Sequence, residues 1–209
     1  MVSIGRQATS PDSYAAGASA RPEPAERGPA GPPGLSGLIA AFDAAVDRRL
    51  DRLRGHPVLD RVMYTASDLG DFSLIWHLVS ASRALAPDRR LAHAVRVAAV
   101  LGVESALVNG GLKSLFRRHR PVWEHERPYR LRVPRTSSFP SGHASSAATA
   151  AGLLSERDPL GPLYYGLGAL VAVSRVYVRH HHASDVVAGA LVGAVLARLA
   201  RRAWPLPRT

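Results

Sequence analysis

From Leu69 onward the chain alternates apolar segments with short polar blocks, and this alternation limits the architecture more than any other feature. Leu69 to Ala86 is apolar but carries Asp71, His77 and Arg83, and Leu91 to Leu112 carries Arg96, Glu104 and Asn109. Ala144 to Leu154 is small and apolar, Leu160 to Val173 is uncharged, and Val186 to Leu199 holds only Arg198 near its end. No β-alternation or repeat is evident. Many Gly and Ala residues in successive apolar helices suit close packing in lipid. Trp76, Trp123 and Trp204 fall near segment ends, where interface anchors sit. The expected fold is all-α, a multi-span transmembrane bundle of about five spans. A spanning helix needs roughly 20 residues, and several of these segments are shorter. A soluble helical protein with buried helices is therefore the competing reading.

The 209 residues leave room for one ordinary domain. Lys and Arg number 27 against 16 Asp and Glu, a formal charge of +11 that calls for an anionic partner such as nucleic acid, a lipid headgroup or a phosphorylated substrate. The absence of cysteine excludes a disulfide framework, thiolate metal sites and a cysteine nucleophile. Residues 1–37 hold six prolines among Gly, Ala and Ser and show no apolar periodicity; a disordered tail is expected there. That stretch also lacks the apolar run of a secretory signal. Leu38, Phe42, Val46, Leu50 and Leu53 recur at helical spacing, so 38–60 reads as an amphipathic helix and linker, ended by Gly55 and Pro57. Such a helix can pack on a protein core or lie on a membrane surface. Residues 61–204 then form the core and 205–209 a short tail.

Three polar blocks carry the chemistry. In the first, Lys113 and Arg120 lie two helical turns apart and share a face if the helix continues to Pro121. Arginine binds phosphate oxygens bidentately and lysine adds a compact charge. Taken alone, the same residues, with Arg117, Arg118, Arg127, Arg130, Arg132 and Arg135, also read as a solvated basic face. In the second block, Pro140-Ser141-Gly142-His143 opens an Ala-rich helix whose first backbone N–H groups can face an anion, with His143 placed to give or take a proton. In the third, Ser174 and Arg175 precede His181 and Asp185, which stand four residues apart and share a face on a helical backbone. A carboxylate on one imidazole nitrogen leaves the other free to attack. His180, His181 and His182 invite a metal reading, but adjacent helical residues point about 100° apart. No metal or other cofactor is expected, and His180 and His182 are expected to flank the site and to be replaceable.

These three blocks resemble the type 2 phosphatidic acid phosphatase (PAP2) superfamily, whose pattern is Lys-x6-Arg-Pro, then Pro-Ser-Gly-His, then Ser-Arg-x5-His-x3-Asp. Lys113, Arg120 and Pro121 fit the first part, Pro140 to His143 the second, and Ser174, Arg175, His181 and Asp185 the third. The resemblance implies a membrane phosphatase of the bacterial lipid phosphatase branch. His181 would be the nucleophile, forming a phosphohistidine, with Asp185 orienting it and His143 as acid and base. Lys113, Arg120, Ser141, Gly142 and Arg175 would bind phosphate. A polyprenyl or phosphatidate-type lipid phosphate or diphosphate would be the substrate, and membrane lipids rather than nucleic acid the surroundings. Bacterial members often have six spans, against about five here. Alternatives on the same fold are a vanadate-dependent haloperoxidase and a soluble acid phosphatase. From another class, a basic nucleic-acid-binding protein would explain the charge but neither motif histidine.

The first and third blocks flank two apolar helices and so belong on one side of a membrane, with the Glu156 to Pro159 turn on the other. The resemblance implies an active site on the external face of a bacterial cytoplasmic membrane. Eight cations between Lys113 and Arg135 argue for a cytoplasmic site under the positive-inside rule, while Arg198, Arg201, Arg202 and Arg208 argue for a cytoplasmic C-terminus. The external face is the expectation, because phosphate-binding cations bias the count.

Overall fold

The protein is described by a computed structural model that covers residues 34–85, 90–123, 127–132 and 136–206. Residues 1–33 of the expected 1–37 tail, residues 86–89 and the last three residues lie outside the described residues, while Leu35 to Gly37, expected in the tail, belong to the first helix. Among those described, the secondary structure is helical: α1 (Leu35–Asp51), α2 (Pro57–Leu69), a 3-10 turn (Asp71–Ser73), α3 (Leu74–Ala84) and α4 (Arg90–Ser105). A π-helical stretch (Ala106–Leu112) carries α4 into the short α5 (Lys113–Leu115), and α6 (Gly142–Leu154), α7 (Gly161–Tyr177) and α8 (Ala183–Ala203) complete the chain.

Local chemistry sets the boundaries. Pro57 opens α2, where a fixed φ suits the first turn, and His56 caps it by accepting from Leu59 N–H. The expected apolar segment 69–86 is interrupted: Phe72 and Ser73 both take left-handed backbone, φ 53° and 58°, so α2 stops at Leu69 and α3 restarts at Leu74. That break turns Asp71 toward the interior of the bundle.

The core centres on α6. Ala147, Ala150, Ala151, Leu153 and Leu154 pack with Trp76, Val97, Leu101, Tyr164, Val171 and Ala197 from the surrounding helices. Trp76 is fully buried there, which corrects its expected place at a membrane interface. Helix α8 crosses α6 at backbone contact: a Cβ on Gly189 would strike the Ser141 carbonyl, and one on Gly193 the Ser145 carbonyl. Thr149 Oγ1 donates to the Gly193 carbonyl at 3.2 Å across the same seam.

Two helices are long and apolar enough to cross a membrane, Leu91–Leu115 and Ala183–Ala203. On α8, Val187, Leu191, Val195 and Leu199 recur every four residues and are all exposed, so the outer face is an apolar stripe. The charges that made the 91–112 segment ambiguous point inward. Arg96 is buried and paired with Glu156, which also lies 3.6 Å from Arg201, while Arg83 pairs with Asp158. A buried charge left without a partner would be far more costly, and each of these arginines has a carboxylate. This ionic cluster marks one end of the bundle. Helix α6 runs to it from the motif end and α7 returns, so all three polar blocks meet at the opposite end.

Candidate active site

The first block reaches the site without the continuous helix its spacing suggests. The π-helical turns around Asn109, Gly110 and Gly111 bring Lys113 inward, where it is 9 % exposed. Phe116 then takes extended backbone, φ −121° and ψ 136°, and the helix ends. Lys113 and Arg120 therefore do not share a helix face. The following loop is stitched to the 137–138 segment: Ser138 N–H donates to the Arg118 carbonyl at 3.0 Å, and Ser138 Oγ to the His119 carbonyl at 3.2 Å. The stitching carries Arg120 to the third block, where its guanidinium donates to the His180 carbonyl at 2.6 Å and lies 3.4 Å from His181 Nε2.

His181 sits just before α8, not within it. Its Nδ1 lies 2.6 Å from the Ser138 carbonyl and 3.8 Å from Asp185 Oδ2. A carbonyl can only accept, so Nδ1 carries the proton and Nε2 holds the lone pair. The hydrogen bond that fixes the tautomer thus comes from a backbone oxygen that the i, i+4 pattern could not indicate. Asp185 instead accepts from the His182 N–H at 2.8 Å, capping α8, and from Arg118 at 2.5 Å. Burial lowers the His181 pKa most; Asp185 works the other way, and Arg175, Arg120 and Lys113 add to the lowering, giving about 3. The imidazole is neutral near pH 7, as a nucleophile must be.

Arg175 is 1 % exposed, held by Ser67 Oγ from α2 and by His180 Nδ1 at 2.7 Å. His180, expected from sequence to flank the site, is thus a direct partner of a motif arginine. His182 Nε2 lies 3.3 Å from the His119 carbonyl in an exposed contact. The three histidines point to three different partners.

Ser141 caps α6, accepting from Ala144 N–H at 3.4 Å, while its own N–H donates to the Asp185 carbonyl at 3.0 Å. With that N–H committed, backbone donors facing an anion begin at Gly142. A Cβ on Gly142 would come 2.9 Å from Asn109 Oδ1, so this turn and the π-helical stretch are in close contact. His143 Nε2 lies 2.9 Å from Asp71 Oδ1, across the break between α2 and α3.

Lys113, Gly142, His143, Arg175 and His181 line one cavity of about 470 Å³. Ser141, Arg120 and Asp185 stand behind its wall. Its other walls come from residues that the motifs do not mark: Asp71 and Phe72, and Glu104, Ser105 and Asn109 of the α4 arm. A larger groove of about 580 Å³ runs over Ala and Gly of α6, α7 and α8 and holds none of these groups.

Arg118, grouped by sequence with the solvated basic face, has a specific place. It bridges Asp185 and Asp43 of α1, with its second nitrogen 2.7 Å from Asp43 Oδ2. Asp43 is buried and also accepts from Ser184 N–H and Oγ at 2.7 and 2.8 Å. Helix α1 is thereby fastened to the start of α8, directly behind the site.

The PAP2 superfamily model matches residues 93–207. The decaprenylphosphoryl-5-phosphoribose phosphatase of Mycobacterium tuberculosis is 32 % identical over 174 residues, covering 82 % of this chain and 90 % of that protein. The protein of the same description from Mycolicibacterium smegmatis is 32 % identical over 160 residues, covering 76 % and 82 %. Among solved structures, a transmembrane PAP2-type phosphatidylglycerolphosphate phosphatase from Bacillus subtilis matches with TM-score 0.59 and 26 % identity, covering 79 % of this chain and 85 % of its own. Aquifex aeolicus LpxE shares the fold, with TM-score 0.63 and 23 % identity over 79 % and 95 % of the two chains.

Proposed function

The chain belongs to the PAP2 superfamily and is a phosphatase, and from that premise we propose that it dephosphorylates a polyprenyl-type lipid through a phosphohistidine at His181. The observation that carries this reading is the meeting of His181, His143, Lys113 and Arg175 at one cavity. Nε2 of His181 attacks phosphorus in line; the P–N bond forms as the P–O bond to the lipid breaks. His143 gives a proton to the departing oxygen. Water then attacks phosphorus, loses a proton to His143, and inorganic phosphate leaves as the P–N bond breaks. Lys113, Arg175 and the backbone N–H groups from Gly142 onward neutralise the equatorial oxygens, where phosphoryl transfer most needs stabilisation, while Arg120 stands beside the attacking nitrogen and Ser141 holds the turn in place. Asp185 favours the positive charge that His181 acquires.

The favoured substrate is a polyprenyl-linked phosphosugar of the kind named for the mycobacterial relatives. Ser105, Asn109 and Thr136 on one part of the cavity wall suit a hydroxylated group, and Ala98, Leu101 and Gly102 suit the adjoining lipid. Purified enzyme is expected to prefer such a substrate over phosphatidate and polyprenyl diphosphate in a release assay. Activity is expected to survive EDTA, since the neutralising cations are side chains, and to be inhibited by vanadate, a mimic of five-coordinate phosphorus. Loss in EDTA with rescue by a divalent ion would falsify the metal-free mechanism.

The protein is a membrane protein by its family neighbours and its apolar helices. We further propose about five crossings, from α3, α4, α6, α7 and α8, with the cavity on the external face. The 17 residues of α7 reach about 26 Å, close to a hydrocarbon core of about 30 Å. The chain has no native cysteine, so single cysteines at Arg130 and Leu160, at opposite ends of the bundle, give a clean test. With a membrane-impermeant maleimide on intact cells, Arg130→Cys is expected to label and Leu160→Cys to stay unlabelled. The reverse pattern places the chemistry in the cytoplasm.

A further inference from the structure

We propose that Asp71 is the positioning carboxylate of His143, completing the acid/base half of the site from outside the three motif blocks. The inference rests on the phosphohistidine reading and adds to it a residue the motifs do not contain.

Three observations carry it. First, Asp71 Oδ1 lies 2.9 Å from His143 Nε2, and both residues line the cavity with His181. The contact is an ion-pair distance without a hydrogen bond, since Nε2 has no hydrogen-bond partner. Contacts of this kind tighten when substrate fills the site. Second, the backbone is shaped for the contact. Consecutive left-handed residues, Phe72 and Ser73, are uncommon away from glycine and break an otherwise apolar helical run just where Asp71 must turn inward. Gly70 leaves the space the ring occupies: a Cβ there would come 2.6 Å from His143 Cδ2 and 2.9 Å from Val171 Cγ1. Third, the charges agree. Burial works to raise the Asp71 carboxyl; the His143 contact, then Arg175 and Arg132, overcome it and hold the carboxyl below its ordinary value. Asp71 is therefore a carboxylate at neutral pH, able to accept from an imidazole N–H.

The consequence is a division of labour between the two ring nitrogens. Once the contact tightens and Nε2–H is directed to Asp71, Nδ1 is the nitrogen that carries the transferred proton. It gives this proton to the departing lipid oxygen as the P–O bond breaks, and takes one from water in the second step. The imidazolium that enters the first step, and that the second step restores, is stabilised by the carboxylate; between the steps the ring is neutral. The site then has two histidine pairings of different type: a backbone carbonyl fixes the neutral nucleophile, and a carboxylate supports the histidine that must become charged.

A competing role for Asp71 is simple counter-ion to the nearby Arg175. Leaving-group dependence separates the two, because a nitrophenolate departs without a proton and an alkoxide does not. Dodecyl phosphate and 4-nitrophenyl phosphate are hydrolysed by wild type, Asp71→Asn, Asp71→Glu and His143→Ala in detergent. If Asp71 positions the acid, Asp71→Asn loses about 10²-fold in kcat on the alkyl ester, the lower end of what general acid catalysis contributes. On the nitrophenyl ester it loses only a fewfold, and His143→Ala shows the same split more strongly. Asp71→Glu retains the charge but misplaces it, and shows the split as well. Equal losses on both esters, or full activity in Asp71→Glu, make Asp71 a counter-ion and overturn the proposal; either variant alone decides it. If His143→Ala itself shows no split, the acid/base assignment of His143 has failed and Asp71 falls with it.

Discussion

Replacing His181 by alanine is expected to abolish turnover, because it removes the nitrogen that attacks phosphorus. Its Nδ1–H is tied to the Ser138 carbonyl, so the lone pair that attacks phosphorus is on Nε2, 3.4 Å from the Arg120 guanidinium. Loss of a nucleophile typically costs on the order of 10⁴-fold or more in kcat. The neighbouring histidines give the contrast. His182→Ala should stay within about threefold, since the Asp185 cap uses the backbone N–H of residue 182, which any side chain retains. His180→Ala should fall between: it leaves one arm of the buried Arg175 guanidinium without its 2.7 Å acceptor, at a cost of about 1–3 kcal/mol expressed mainly in phosphate binding. Rapid acid-free quenching of wild type with labelled substrate should trap a phosphoenzyme, and His181→Ala should trap none. A phosphoenzyme at normal level in His181→Ala would reassign the nucleophile.

Much of the site is legible in the sequence because its groups are tied to short fixed spacings. The Pro-Ser-Gly-His turn is a helix cap and the His-x3-Asp pair straddles another, so local geometry delivers both. Spacing misleads where the backbone leaves the α-helix. Lys113 and Arg120 look like one face, but Asn109, Gly110 and Gly111 lie in a π-helical stretch and Phe116 ends the helix. Glycine's weak hold on helical geometry is the only local hint. Contacts between distant segments leave almost no trace. Asp71 and His143 are 72 positions apart in sequence, and Asp43 and Ser184 are 141 apart. Both are visible only as isolated carboxylates among apolar or small neighbours. Trp76 misleads for a related reason: its position in an apolar segment is equally consistent with a core or an interface, and only the packing of α3 on α4 and α6 decides for the core.

Gly189→Val is expected to have the second largest effect, and it acts far from any reacting atom. The seam between α6 and α8 places the Ser141 carbonyl where a Cβ of residue 189 would lie. Neither side can give way, because the obstruction is backbone on both helices. Overpacking into a site with flexible neighbours costs about 1–3 kcal/mol; against a carbonyl fixed by a helix cap the helices must separate instead. Separation moves Ser141 from the Asp185 carbonyl, parts the Gly142-His143 turn from Asp185 and His181, and so opens the cavity. Loss of folded protein and of activity should therefore occur together, read as a lowered melting temperature in detergent and absent turnover. Gly166→Ala in α7 is the control: a Cβ there meets nothing within 4 Å, and alanine favours helix by about 1 kcal/mol over glycine. It should fold at least as well as wild type and retain activity. If Gly189→Val melts like wild type, α8 does not need backbone contact with the Ser141 turn, and the seam is not what holds the two catalytic blocks together.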